Sequence, residues 1–383
     1  MASQALTLFP DETTGETDNA VRVTVVRHHD AAVSAPAWDA LARNASTPNP
    51  FFERWCLLPA LAAFDPGHSV SLVCIHAGDT LIGLLPLARS RDYYDYPVPH
   101  YQAWLHPNAF CGAPLVAAGQ EQPFWAALLN WLDTEPGSAL FLHLTGLPSD
   151  GPLYDALHRV AQAERRPAAV VMKEDRAMLV SDLSPEDYFA QSMSAKKRKE
   201  LRRQSRRLGE EGTLAFSRHN DDHALPEWIE QFLALESAGW KGQERSALAS
   251  APQTAAFFRE SLNGAAKAGR LERLALTLDG VPIAMLANFL TAPGSFSFKT
   301  AYDEEYARYS PGVLLQRENL EILSRSDIAW CDSCAAPDHP MIERIWREKR
   351  SVVRVSVALG GILRRQASRA FLTVETRSNP KGL

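Results

Sequence analysis

Apolar and polar positions follow strand or helix periods along most of the chain after residue 20. Val21 to Arg27 alternates with period two and predicts a strand. Pro36 to Ala45 and Phe51 to Ala63 carry helical spacing, separated by the breaker-rich loop 46–50. Val70 to Ile75 and Leu81 to Leu87 read as strands across Ala77-Gly78-Asp79, a hairpin signal. Tyr101 to Leu105 and Leu115-Val116 are short extended pieces around the loop 106–114. A helix over Pro123 to Leu132, a strand over Ala139 to Leu144, a helix over Pro152 to Ala163 and a strand over Ala168 to Met172 follow.

The remainder repeats that order. Helices are predicted over Pro185 to Gln191 and Ala195 to Leu208, then a strand over Thr213 to Arg218 and helices over Pro226 to Ser237 and Pro252 to Ala268. A second hairpin, Leu271 to Leu278 and Pro282 to Leu290, turns at Asp279-Gly280. Strands over Phe296 to Tyr302 and Ile328 to Cys331, a helix over Pro340 to Arg347 and a strand over Val352 to Leu359 complete the pattern. The class is α/β (α+β), with two similar units that each hold a mixed, mostly antiparallel sheet flanked by helices.

Phe296 to Leu323 concentrates candidate chemistry. An alternating strand leads through a polar loop to Ser310-Pro311-Gly312, a helix start with Ser310 as N-cap and Pro311 as first helical residue. Such a start is expected to leave the amides of Gly312, Val313 and Leu314 free to meet an anion, with Arg308 one turn earlier. An ordinary strand-loop-helix connection fits the same residues.

Composition narrows the function classes. At 383 residues with a net charge of −5, the chain is a two-domain globular protein rather than a nucleic-acid binder as a whole. No apolar run has membrane-spanning length, and Met1 to Ala20 lacks the basic and apolar regions of a signal peptide. A disordered leader over 1–20 and a cytoplasmic location are therefore expected. Five cysteines include one Cys-x-x-Cys, Cys331 and Cys334, followed by Asp338 and His339. With no second pair, neither a disulfide framework nor a metal site is expected. Between Ser194 and Leu208, eight basic side chains face one acid, Glu200. This block reads as a solvated face, and an anionic acceptor, lipid headgroups, RNA or CoA phosphates also suit it. Its weak amphipathicity argues against membrane insertion.

Four stretches together resemble the GNAT acetyltransferase superfamily, in the CelD/BcsL-like branch of cellulose-biosynthesis acetyltransferase relatives. They are Ser194 to Arg203, Gly239-Trp240-Lys241-Gly242, Phe298 to Asp303 and Tyr309-Ser310-Pro311-Gly312. The likeness covers about Leu179 to Gly360, and the tandem order also resembles the FemAB-like transferases. The resemblance implies a degenerate unit over 21–178, an acyl-CoA-binding unit over 179–365 and a tail over 366–383. It implies acyl-CoA as co-substrate without a metal, the pantetheine arm lying along a splayed strand and the pyrophosphate at the following helix. The cofactor residues would be Ala301, Arg308, Ser310, Pro311, Gly312, Val313 and Leu314. Pro311 and Val313 replace glycines of the family pattern, and the loop 107–114 of the first unit has no basic residue.

For the chemistry, Glu236, Asp332 and Asp303 are carboxylates expected near the cleft, Lys299 a stabiliser of negative charge and Tyr302 or Tyr309 a proton donor. Trp240, Lys241 and Asp303 would contact the acceptor. Each of these also has an ordinary reading as cap, solvated group or packed side chain. The implied partner is a small-molecule or saccharide acceptor. An aminoacyl-tRNA-dependent transferase, using 196–207 to hold RNA, and a non-catalytic adaptor are the rivals.

Overall fold

The computed structural model describes residues 21–27 and 33–377. The expected leader over 1–20 lies outside them. The first half comprises β1 (Val21–Arg27), α1 (Ala35–Arg43), α2 (Arg54–Phe64), β2 (Ser71–Ala77), β3 (Thr80–Ser90), β4 (His100–Ala103) and β5 (Leu115–Val116). It continues with α3 (Glu121–Thr134), β6 (Phe141–Pro148), α4 (Pro152–Ala163) and β7 (Ala168–Leu179). The second half comprises α5 (Pro185–Ser192), α6 (Ala195–Gly209), β8 (Leu214–His219), α7 (Leu225–Ala238), α8 (Trp240–Gln243) and α9 (Pro252–Lys267). Then come β9 (Leu271–Leu278), β10 (Val281–Thr291), β11 (Gly294–Tyr302), α10 (Pro311–Asn319), β12 (Trp330–Asp332), β13 (Glu348–Ala358) and α11 (Ile362–Thr376).

The expected mixed α/β class holds, and the repeat is visible in space. All thirteen strands join one sheet, in the order β1-β2-β3-β4-β6-β13-β7-β12-β11-β10-β9-β8, with β5 beside β3. Each half contributes one parallel pair, β4–β6 and β11–β12. The two last strands are exchanged. β13, from the second half, pairs antiparallel with β6 of the first, and β7 of the first half pairs with β12 of the second. β7 and β13 pair with each other from Glu348↔Met178 to Val357↔Ala168.

Three departures from the sequence pattern have physical causes. β7 runs on to Leu179 because exchange gives it partners on both edges. The helix expected over 340–347 is a run of turns. Ile342, Ile345 and Trp346 are buried there, and the Glu343 carboxylate accepts from the Asp338 amide at 2.8 Å. Most of the stretch expected as a tail is α11, which docks on the first half. Arg364 donates to Ala139 O and Gly137 O, and Arg365 to Asp133.

One apolar core crosses the junction. Phe51 of the first half sits edge-on to Phe289 and Phe296 of the second, at centroid distances of 6.3 and 5.6 Å. Ordinary area-proportional burial drives this association, and the aromatic edge-to-face geometry adds to it.

Candidate active site

The two parallel pairs separate differently. In the first half, β4 and β6 pair only at Tyr101↔Leu142 and Gln102↔His143. The opening beyond is filled by the chain itself. Gly112 donates to Gly146 O at 2.9 Å, and a Cβ on Gly112 would stand 1.8 Å from Thr145 O. Asn49 Nδ2 fixes the filling segment by donating to Cys111 O and Ala113 O, at 3.1 and 2.7 Å.

In the second half, β11 and β12 pair from Gly294↔Trp330 to Phe296↔Asp332 and then part. From Ser297 to Tyr302 the β12-side edge of β11 has no strand partner among the described residues. The other edge stays on β10, with a bulge: Ala287 faces Lys299 while Asn288 faces Ser297, so Phe298 is the extra residue. A bulge re-aims the side chains that follow it, and here Lys299 is the residue that follows. Ser297 Oγ, buried beside it, has no hydrogen-bond partner among the described residues.

Lys299 Nζ donates to Asn108 Oδ1 of the first half at 2.8 Å. It lies 5.4 Å from the ring centre of Phe110 and 5.6 Å from that of Phe298. Burial, then the nearby Lys241 charge, pushes its ammonium down to about 8, with Glu236 and Cys334 pulling the other way. Asn108 and Phe110 escaped the sequence reading, since loop residues this far away in the chain (191 positions for Asn108) carry no local signal.

A small cavity of about 30 Å³ opens at the same strand. It brings together Glu236, Trp240, Lys241, Ala301 and Tyr302 from the sequence-derived set, with Glu304 added. The end of α7 and the short α8 place the first three. Glu236 is buried; its carboxylate accepts from Lys241 Nζ at 2.8 Å and from the Leu248 amide at 2.7 Å. Glu304 accepts from the Trp240 amide at 2.7 Å.

The remaining carboxylates stand elsewhere. Asp303 accepts from the Glu305 amide at 2.9 Å and starts a 3-10 turn. Asp332 is fully buried at the end of β12, and Oδ2 accepts from Arg176 Nη2 at 2.7 Å while Oδ1 accepts from the Cys334 amide at 2.9 Å. Arg176 also donates to Phe110 O at 2.5 Å, tying this ion pair to the first-half loop. Beside it, Leu105, Phe110, Met172, Glu174 and Arg354 line an open cleft of about 540 Å³ between the halves.

The helix start differs from expectation. Ser310 stands at the N-cap in the left-handed region (φ 56°), without a side-chain cap bond. Its carbonyl accepts from the amides of both Val313 and Leu314, at 3.0 Å each. The expectation counted one residue too far, because the fifth amide already closes the first helical turn, and Val313 is taken by a tighter bond. Gly312 alone of the three amides has no acceptor among the described residues. Gly312 is buried, and a Cβ on it would meet Met341 Sδ at 2.6 Å and Tyr302 Cδ1 at 3.3 Å. Arg308 is exposed and paired with Glu211 at 2.8 Å.

Cys331 and Cys334 are buried free thiols, pushed up by burial. Among the described residues no three His, Cys, Asp or Glu side chains cluster as metal ligands. No helix there is long and apolar enough to cross a membrane.

A mixed sheet whose parallel pair splays beside a helix start is a GNAT-like arrangement. Residues 195–339 match the family model described as acetyltransferase (GNAT) domain. The crystal structure of FemX is similar over 89% of this chain and 98% of its own, at 9% identity and a TM-score of 0.58. A conserved protein of unknown function from Bacteroides thetaiotaomicron is similar over 85% and 98%, at 10% identity and a TM-score of 0.55. These likenesses carry the fold. No curated protein matches the chain in sequence.

Proposed function

We propose that the protein is an acyltransferase that moves an acyl group from acyl-CoA to an amine or hydroxyl acceptor held between the halves, working in the cytoplasm. The observation that carries this reading is the unpaired edge of β11, where the bulge at Phe298 delivers Lys299 next to the Glu236–Lys241 pair. The CelD/BcsL-like resemblance adds a sugar or envelope precursor as acceptor class.

The fit to acyl-CoA differs along its length. The unpaired edge of β11 and the unpartnered Ser297 Oγ suit an extended amide-bearing arm. The helix start offers a single free amide, that of buried Gly312. A charged contact from Arg308 to the phosphates needs Arg308 to leave Glu211.

In the reaction, a neutral amine attacks the thioester carbonyl, the C–N bond forms, the C–S bond breaks, and the amine proton ends on the departing thiolate. Charged Lys299 stabilises the oxyanion that develops. Glu236, Asp332 and Asp303 are already engaged, so the main contributions of the site are positioning and electrostatics rather than a free carboxylate base.

A second reading takes the acyl group from an RNA carrier. Its supporting observation is α6, whose exposed Lys196, Lys197, Lys199 and Arg202 adjoin the Arg308 loop through Gln204, which donates to Arg308 O at 3.1 Å. Calorimetry with acetyl-CoA, paired with thiol release across an amine and sugar panel, separates the readings. Binding below millimolar concentration with acceptor-dependent thiol release is expected. No binding at millimolar ligand overturns the acyl-CoA assignment, and without thiol release from any acceptor the adaptor reading stands.

A further inference from the structure

We propose that Asn108 is a positioning residue which the first half supplies to the second half's site, its side-chain oxygen fixing Lys299 Nζ at the unpaired edge of β11. The assignment of a role to that edge rests on the acyl-transfer reading above; the contact itself does not.

The loop carrying Asn108 is braced from beneath. His106 stacks on Phe64 at 4.9 Å and meets Phe257 edge-on at 4.9 Å. Burial, then the Lys299 charge, pushes its imidazolium down to about 3, so the ring is neutral. Its Nδ1 accepts from the Asn108 amide at 3.3 Å, which assigns the ring proton to Nε2. Ala109 closes the turn by donating to His106 O at 2.9 Å, and Arg176 holds Phe110 O. The loop thus presents Asn108 Oδ1 from a fixed backbone.

A neutral amide oxygen suits this position. Lys299 also faces Lys241 from α8, Glu236 from α7, Cys334 beyond β12 and His106 from the loop itself. Lys241 is matched by Glu236, and Lys299 is left with a dipole instead of a carboxylate. An amide accepts from the ammonium and holds its direction, and it raises the lysine's proton affinity less than an aspartate would. The first half, whose own opening is filled by residues 111–113, thereby acts on the opening of the other.

Asn108→Asp and Asn108→Ala in the full-length protein test this, with acetylation of Lys299 by N-hydroxysuccinimide acetate followed by mass spectrometry over a neutral-to-alkaline pH series. The readout is the pH midpoint of labelling; below the midpoint, moving it by one pH unit changes the rate at fixed pH roughly tenfold. With Asp the midpoint is expected to rise. With Ala it is expected to fall, since the charged form loses its acceptor. A loop that only packs would loosen in both variants and move both midpoints up, toward an ordinary lysine. That result, or no movement in either, overturns the proposal. Labelling needs no acyl-CoA, so a protein that fails to bind acetyl-CoA still reports on Asn108. Where thiol release is measurable, Asn108→Asp is expected to carry its alkaline limb upward with KM for acetyl-CoA unchanged.

Discussion

Lys299 is the residue on which the proposed chemistry depends, and its pH behaviour has two separate signs. Its charged form serves the oxyanion, so activity is expected to fall as pH rises through about 8. Stability moves the other way. The folded state releases the proton at about 8 and the unfolded chain near the ordinary lysine value of 10.5, so between those values the unfolded state binds more protons and stability rises with pH. Lys299→Met is expected to lower turnover by about 10²–10³-fold and to remove that stability slope, checked by thiol release and by urea unfolding at several pH values. Asp332 serves a structural end in this geometry. Arg176→Ala leaves its carboxylate buried without its strongest partner and is expected to cost about 3–5 kcal/mol in urea unfolding. Sequence reading singled out Lys299, Glu236, Lys241 and Tyr302, which the fold places on neighbouring elements. It missed Asn108 and Arg176, whose partners are 191 and 156 positions away.

At the scale of elements, the strand-loop-helix 294–319 combines a legible part and a hidden part. Alternation located β11 within two residues, and the Ser-Pro-Gly start located the beginning of α10 at Pro311. The bulge at Phe298 was hidden, since it is defined by register against β10, and so was Met341, which reaches the helix start from a segment that reads as helical. Gly312→Ala sets a methyl against Met341 Sδ and is expected to weaken acetyl-CoA binding several-fold, checked by calorimetry with circular dichroism confirming the fold; unchanged affinity would place the phosphates elsewhere. For α6, the RNA-carrier reading predicts binding to tRNA that weakens steeply with salt, whereas a solvated face gives little binding at physiological salt.

For the whole molecule, the repeat was legible as a repeated order of elements and a pair of similar hairpins. Strand exchange was not, because β7 and β13 have the same local pattern whichever half they complete. The shared sheet and the Phe51 cluster join the halves into one unit. Residues 179–365 expressed alone lack β7 and are expected to be insoluble or molten, while the full chain is expected to unfold in one transition by both fluorescence and circular dichroism. Synthesis adds a consequence in time. The slot between β6 and β7 is filled only when β13 leaves the ribosome, about 180 residues after β7, or roughly 10–40 s at ordinary elongation rates. During that interval two long strands stand beside a vacancy that each could fill with the other or with a neighbouring nascent chain, so the finished fold depends on the first half waiting for its last strand.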